Sequence, residues 1–377
     1  MLNTFEHVKI EGIRIVVPEK TIDIEDELNF FNNDVKLLKR NQKLMGFHTR
    51  HVVDESISNT DLLEAAARTL IADLGVEKDK IECVIVTSTS HDYHYPATSC
   101  VIHGRLGLSE ECICQDLSGL ACSAYVHALM TAHAMISSGA VKNCLVLAGD
   151  IASTHSDRRN RNVNMLFGDA GSATWLTHSN DSSIAWFYTG TRGAAFDKII
   201  APAGGSALPI KKDIVDLEVT DDVGNVWHLW DNLMKGMDVF QFSTEVAPLG
   251  VKKILEAADR SVDDVDYFAF HQANSMIVSQ VARMIGIPKE KFSCEAFEKY
   301  ANCASCAVVT DMVLRLLKGP VKECCLSTFG VGLSVGCSLL DLSGVNVAPF
   351  SNYRPVREKG TRREQIDYWI SYFKDRS

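Results

Sequence analysis

An internal duplication constrains this chain more than any other feature of its sequence. Residues Ala121–Leu147 can be laid over Ala301–Ser327 at an offset of 180. Each segment begins among small residues, runs through a long apolar helical stretch, turns at Gly139-Ala-Val-Lys-Asn-Cys144 or Gly319-Pro-Val-Lys-Glu-Cys324, and enters a strand. Upstream, Leu70–Thr87 matches Ile254–His271 at an offset of 184, each a helix end, an acidic turn and a strand. Two matches in one order at nearly one offset predict a duplicated αβ unit. The expected organisation is an N-terminal half over 1–178, a C-terminal half over 179–345 and an extension over 346–377.

With 377 residues, 46% of them hydrophobic, both halves have material for a dry core. The formal charge of −10 argues against general affinity for nucleic acid, which wants surplus Lys and Arg. Apolar runs stay short of the ~18 residues of a membrane span. Twelve cysteines are too dilute for a disulfide scaffold, and Met1–Gly12 carries no basic-then-apolar leader pattern. A cytoplasmic, reducing location with free thiols is the expectation.

Apolar runs at Cys83–Thr87, Cys112–Leu117, Cys144–Ala148, Tyr267–Phe270 and Cys324–Thr328 read as buried strands. Helix-period segments lie between them, at Thr60–Leu74, Ser123–Ser138, Phe242–Ala258, Asn274–Ile285 and Ala304–Leu317. The fold class is therefore α/β. Cys122 stands where a strand and a turn of small residues open a helix, a place where free N–H groups and the helix dipole favour a thiolate. At the 180 offset it coincides with Asn302, also before an apolar helix, which predicts that the two face one another. Asn302 has an ordinary capping role as well. His271 ends the strand 267–270, at the sheet edge where α/β proteins bind ligands. Most other cysteines read as small packing residues. Cys303 and Cys306 have a metal-like spacing without partners, and fit a helix start better. The glycines of Phe167-Gly-Asp-Ala-Gly171 and Phe329-Gly-Val-Gly332 are suited to close backbone approach.

In order along nearly the whole chain, Gly46-Phe-His-Thr-Arg-His51, Ala121-Cys-Ser-Ala124, Phe167-Gly-Asp-Ala-Gly171, His271-Gln-Ala-Asn274, Asn302 and Phe329-Gly-Val-Gly332 resemble the ketoacyl-ACP synthase III (3-oxoacyl-ACP synthase III) family of the thiolase superfamily. The resemblance implies a thiolase-like five-layered αβαβα fold of two duplicated halves, and a homodimer. It implies an acyltransferase in fatty-acid initiation or specialised acyl metabolism, with Cys122 as the acyl-accepting nucleophile and His271 with Asn302 as the decarboxylation pair. Backbone N–H groups of Cys122 and of the turn at Val331 and Gly332 would form the oxyanion hole. An acyl thioester, acyl carrier protein and malonyl-ACP are the implied partners, and no cofactor or metal is called for.

Arg40, Arg161, Tyr95 and Asn274 are the candidate substrate and carrier contacts, with Lys36, Lys39, Lys43, Arg158 and Arg159 beside them in the basic set. Lys39-Arg-Asn-Gln-Lys43 replaces the tryptophan usual in the family, Ser275-Met276 replaces a usual basic residue, and Tyr95 stands where phenylalanine is common. These departures shift the expected acyl donor from coenzyme A toward a carrier protein. The tail from Ser351 holds seven Lys or Arg against four Asp or Glu and is expected to be a solvated helix. Two other readings keep the cysteine or the fold: an acyltransferase forming an ester or amide, and a non-catalytic partner subunit of a condensing heterodimer. A hydroxymethylglutaryl-CoA synthase-type reaction would want a glutamate within Ser88–Pro96, and none is there.

Overall fold

Runs such as Cys83–Thr87 and Tyr267–Phe270 are almost wholly apolar and buried at every position, so both of their faces need helices above and below. The computed structural model, which describes residues 1–374 except 182, 223 and 357–359, supplies those helices. One sheet orders its strands 346–347, 8–17, 170–178, 143–150, 83–87 and 113–116, with 351–352 also on 8–17. The other orders 2–6, 184–191, 334–341, 323–330 and 267–270. The two repeat one pattern. In each, a parallel pair (83–87 with 143–150, or 267–270 with 323–330) is followed by two antiparallel neighbours.

Five layers result. Helices Asn59–Leu74 and Thr98–Leu106 cover the outside of the first sheet, and Gly236–Ala258 with Ser275–Ile285 cover the second. Between the sheets lie Ala124–Ser137 and Ala307–Leu316, whose side chains share one core with residues of both sheets. Ala124–Ser137 is apolar nearly all round, as expected of a helix surrounded by apolar layers, and Ala307–Leu316 is buried from Ala307 to Val313. The outer helix Asn59–Leu74 is instead punctuated: Ser58 and Asp61 form a reciprocal cap at its start, and Gly75 takes the left-handed conformation at its end.

At the chain ends the two halves exchange strands. Leu2–Glu6 pairs with Ile184–Thr191 in the second sheet, while Asn346–Val347 and Ser351–Asn352 pair with Val8–Val17 in the first. Residues 192–235 contain short ladders, 199–200 with 233–234 and 219–220 with 226–227. Asp231 fixes this segment by accepting from the N–H groups of Asp157 and His228 and from Asn160 Nδ2. The tail forms a helix, Arg362–Lys374, with no buried residue. Of its expected basic residues, Arg357, Lys359 and Arg376 lie outside the described residues.

Candidate active site

Cys122 sits in a single turn of 3-10 helix, Ala121–Ser123, that leads directly into Ala124–Ser137. Ala121 has φ 46°, a left-handed conformation that costs a non-glycine residue about 1 kcal/mol or more. The same device recurs in the other half: Ala304 has φ 47° and opens the 3-10 turn Ala304–Cys306, which leads into Ala307–Leu316. These turns correspond at an offset of 183, so the structural counterpart of Cys122 is Ser305, not Asn302. The superposition at 180 is correct again at the following strands, 143–150 and 323–330. Counted from the preceding strands, 83–87 and 267–270, which correspond at 184, the second half is one residue shorter up to its turn and three shorter from the turn to the next strand, where its helix is the shorter. Asn302 lies two residues ahead of that turn.

Asn302 nevertheless meets Cys122. Both line one cavity, and the Asn302 side chain favours the charged form of the Cys122 sulfur. Its backbone N–H donates to Leu166 O at 2.9 Å, its carbonyl accepts from Gly168 N at 3.2 Å, and its Oδ1 accepts from Ala304 N at 2.9 Å. That docking explains the Phe-Gly-Asp-Ala-Gly run: a Cβ on Gly168 would lie 2.1 Å from Tyr300 O. Asp169 anchors the same run by accepting from Val53 N and from both N–H and Oγ of Ser153.

His271 leaves the strand Tyr267–Phe270, with its N–H on Ser327 O at 2.9 Å and its ring edge-on to Phe329. Burial without a charged partner pushes its pKa down to about 3, so the ring is neutral. Nδ1 is buried without a partner among the described residues. An unpaired acceptor costs less than an unpaired donor, which favours the tautomer with its proton on the other nitrogen.

Cys122, His271 and Asn302 line one cavity of about 530 Å³. Gly119, Gly330 and Val331 line it too, and much of the rest is apolar: Leu166, Ile200, Trp230, Met234 and Ile277 among others. The wall from Ile199 to Met234 belongs to the 192–235 segment and was not expected from sequence; its one advance signal is the aromatic-rich stretch Trp227-His-Leu-Trp230. His155, which also lines the cavity, was missed as well. Gly330 packs against the cysteine turn so closely that a Cβ there would lie 2.3 Å from Leu120 O and 3.1 Å from Cys122 N.

The electrostatics differ from the expected lowered thiol. Burial first, then the nearby Asp150 charge, push the Cys122 pKa up to about 12, outweighing the Asn302 amide and the residue's own N–H. A helix N-terminus offers roughly half a charge, whereas desolvation acts on the whole thiolate.

Among the other expected contacts, Asn274 lines the cavity but uses its Oδ1 to cap the next helix, on Ile277 N at 2.8 Å. Gly332 follows Val331 with φ 71°. Arg40, with Lys36, Lys39 and Lys43, is exposed on the helix Val35–Met45, away from the cavity lining. Arg161 is half-buried, with Nη1 on Phe30 O at 3.3 Å. Arg158 and Arg159 pair with Glu27 and with Asp157 and Glu218. Tyr95 is 86% exposed and does not reach the cavity within one chain. All cysteines are free; Cys303 and Cys306 are fully buried, and Cys100 is exposed.

Known proteins agree with this architecture. The sequence pattern of 3-oxoacyl-(acyl-carrier-protein) synthase III matches residues 116–193, and that of its C-terminal part matches residues 255–342. A Campylobacter jejuni protein, provisionally named 3-oxoacyl-(acyl-carrier-protein) synthase 3, is 36% identical over 90% of this chain and 96% of its own length. A Staphylococcus aureus beta-ketoacyl-(acyl-carrier-protein) synthase III is 28% identical over 88% of this chain and 97% of its own. The crystal structure of a 3-oxoacyl-(acyl-carrier protein) synthase from Burkholderia xenovorans superposes with a TM-score of 0.84 at 28% identity, covering 93% of this chain and 99% of that one. This chain belongs to the 3-oxoacyl-(acyl-carrier-protein) synthase III family.

Proposed function

We propose that this enzyme condenses an acyl thioester with malonyl-(acyl carrier protein), losing carbon dioxide and releasing a 3-ketoacyl thioester. The observation that carries the reading is the convergence of Cys122, His271 and Asn302 on one apolar cavity. In the first half-reaction Cys122 Sγ attacks the acyl carbonyl, the oxyanion is met by backbone N–H groups at Cys122 and at the Gly330–Gly332 turn, and the donor thiol departs with the proton. In the second, malonyl thioester binds beside the acylated cysteine. Neutral His271 and the Asn302 amide donate to its thioester oxygen, so that the electron pair left by departing carbon dioxide is held as an enolate. Its carbon attacks the acyl-cysteine carbonyl, and Cys122 sulfur leaves.

A neutral imidazole suits this role, because a donor that cannot be protonated is constant across physiological pH. The apolar wall supports an acyl chain and not a charged donor group. No helix among the described residues is long and apolar enough to cross a membrane, and a cytoplasmic homodimer is the working assembly of this proposal. Exposed Arg40 and its lysine neighbours supply the carrier-facing charge.

Peptide mass spectrometry after incubation with acyl thioesters tests the reading. One acyl group is expected on Cys122, and none in Cys122→Ala. His271→Ala and Asn302→Ala are expected to self-acylate yet to lose malonyl decarboxylation by about 10²-fold or more. Acylation at a different cysteine, or decarboxylation at the wild-type rate in either variant, would sink it.

A further inference from the structure

Strands Asn143–Asp150 and Glu323–Gly330 are counterparts at an offset of 180, so Asp150 and Gly330 occupy equivalent strand ends. Each meets the 3-10 turn of the opposite half. Gly330, with no side chain, lies against the turn of Cys122. Asp150 lies against the turn of Ser305 and fills the corresponding space: its Oδ2 accepts from Ser305 N at 3.1 Å and from Ser305 Oγ at 2.6 Å. Its Oδ1 accepts from Thr89 N, Thr89 Oγ1, Ser88 Oγ and Ser90 Oγ at 2.7–3.1 Å. The residue is fully buried, and among the described residues no cation pairs with it. Hydrogen-bond donors alone hold the charge.

Gly330, without a side chain, puts no acceptor on the N–H group of the Cys122 turn, whereas in the duplicate turn an internal carboxylate already sits on the matching N–H. The carboxylate is not among the groups that would meet an acyl thioester, and its charge works against the Cys122 thiolate. The turn it holds is, however, the one that Asn302 leans on: Asn302 Oδ1 accepts from Ala304 N at 2.9 Å, one residue before Ser305. Because that bond fixes the amide plane, the turn's position sets where the Asn302 donor points.

We infer that Asp150 is a positioning residue for decarboxylation: as a built-in anion on the Ser305 turn, it locks Asn302 in its donor orientation without taking part in acyl transfer. This rests on the proposed role of Asn302. A buried carboxylate with six donors is expensive to replace, since every donor loses its acceptor together. A fold that needed only packing there could use an apolar side chain.

The two half-reactions separate the possibilities. In Asp150→Ala, decarboxylation kcat should fall about 10²-fold, the scale expected when a catalytic group is misplaced by about 1 Å, with KM for malonyl thioester held within about threefold and Cys122 self-acylation undiminished or faster, since the lost charge had opposed the thiolate. Asp150→Asn, the same shape with one acceptor oxygen, should recover most of that loss. Should Asp150→Ala fold poorly, Ser305→Ala keeps the N–H and deletes only the hydroxyl, and a smaller loss confined to decarboxylation is expected. Equal loss of both half-reactions, or unchanged decarboxylation in a folded Asp150→Ala or Ser305→Ala, overturns the proposal. Asn302→Ala serves as the reference. If it decarboxylates normally, the role of Asn302 itself is wrong; if it fails while Asp150→Ala succeeds, only the positioning role is.

Discussion

At the Cys122 sulfur, the N-terminus of a helix and the interior of the protein act in opposite senses. The helix start, with its N–H groups, draws the thiol toward ionisation; burial and the Asp150 charge oppose it and prevail, leaving a pKa of about 12. Because this lies above the ordinary thiol value, the thiolate fraction at neutral pH is small and grows with each unit of pH. Alkylation of Cys122 by iodoacetamide should therefore rise about tenfold per pH unit from pH 7 to pH 10 without levelling off. A plateau at or below pH 8 would show that the helix start dominates after all. His271 is shifted the other way, down to about 3, so it stays neutral above that value. Malonyl decarboxylation should accordingly be flat from pH 8 down to about pH 5, where an ordinary histidine near 6.5 would already have lost most of its neutral form. The placement of both residues, Cys122 at a helix start and His271 at a strand end, was legible in the sequence. Their ionisation was not, because desolvation depends on neighbours from the other half.

Between elements, the close approaches are made by backbone, and they explain both what the sequence disclosed and what it hid. Strand 323–330 ends on Gly330 against the turn of Cys122, and 167–168 lies against 300–302. A Cβ on Gly330 would meet Leu120 O at 2.3 Å and Ser123 N at 2.7 Å, both fixed backbone atoms. Gly330→Ala should cost about 1–3 kcal/mol of stability by overpacking and lower Cys122 acylation by about 10²-fold by shifting the turn. Gly104→Ala, on an outer helix with nothing within 4 Å, provides the contrast and should be neutral or slightly stabilising. Denaturant melts and acylation rates of the two variants decide it; an active, fully stable Gly330→Ala would refute the packing argument. Strand and helix positions were readable because apolar periodicity is a local property. The pairing of Cys122 with Ser305 was not, since the offset passes from 184 at the preceding strands to 183 at the turns and reaches 180 only beyond the helix, so that the identities at 180 conceal it. Nor was the wall at 199–234 readable, because its ladders are two residues long and its order comes from buried polar contacts such as those of Asp231.

Across the whole molecule, the duplication does not produce two independent folding units. Ala124–Ser137 and Ala307–Leu316 pack side by side between sheets, in a core that draws on both. The exchanged end strands tie each half to the other's sheet edge. Arg14 sums up the arrangement: it is buried on Val8–Val17, with Asp73 at 2.6 Å on one side and the carbonyl and Oδ1 of Asn346 at 3.1 and 2.7 Å on the other. Tyr353, just past the last strand, is buried as well. Unfolding should consequently be one transition, reported alike by Trp175 in the first sheet and Trp186 in the second. The C-terminal segment then divides sharply by burial. Ending the chain after Leu342 removes two strands and both Asn346 acceptors from a buried guanidinium, and hydrogen bonds to a charged group contribute about 1.5–3 kcal/mol each, so a loss of about 3 kcal/mol or more is expected. Ending it after Tyr353 removes a helix without a buried residue, whose described contact to the body includes an edge-on ring pair between Trp369 and Tyr93, and should change stability by no more than about 0.5 kcal/mol. Urea melts followed by tryptophan fluorescence and circular dichroism distinguish the two truncations. Equal stability after Leu342 and after Tyr353 would mean that the exchanged strands contribute nothing, and two resolved transitions in the full chain would mean that the halves fold separately.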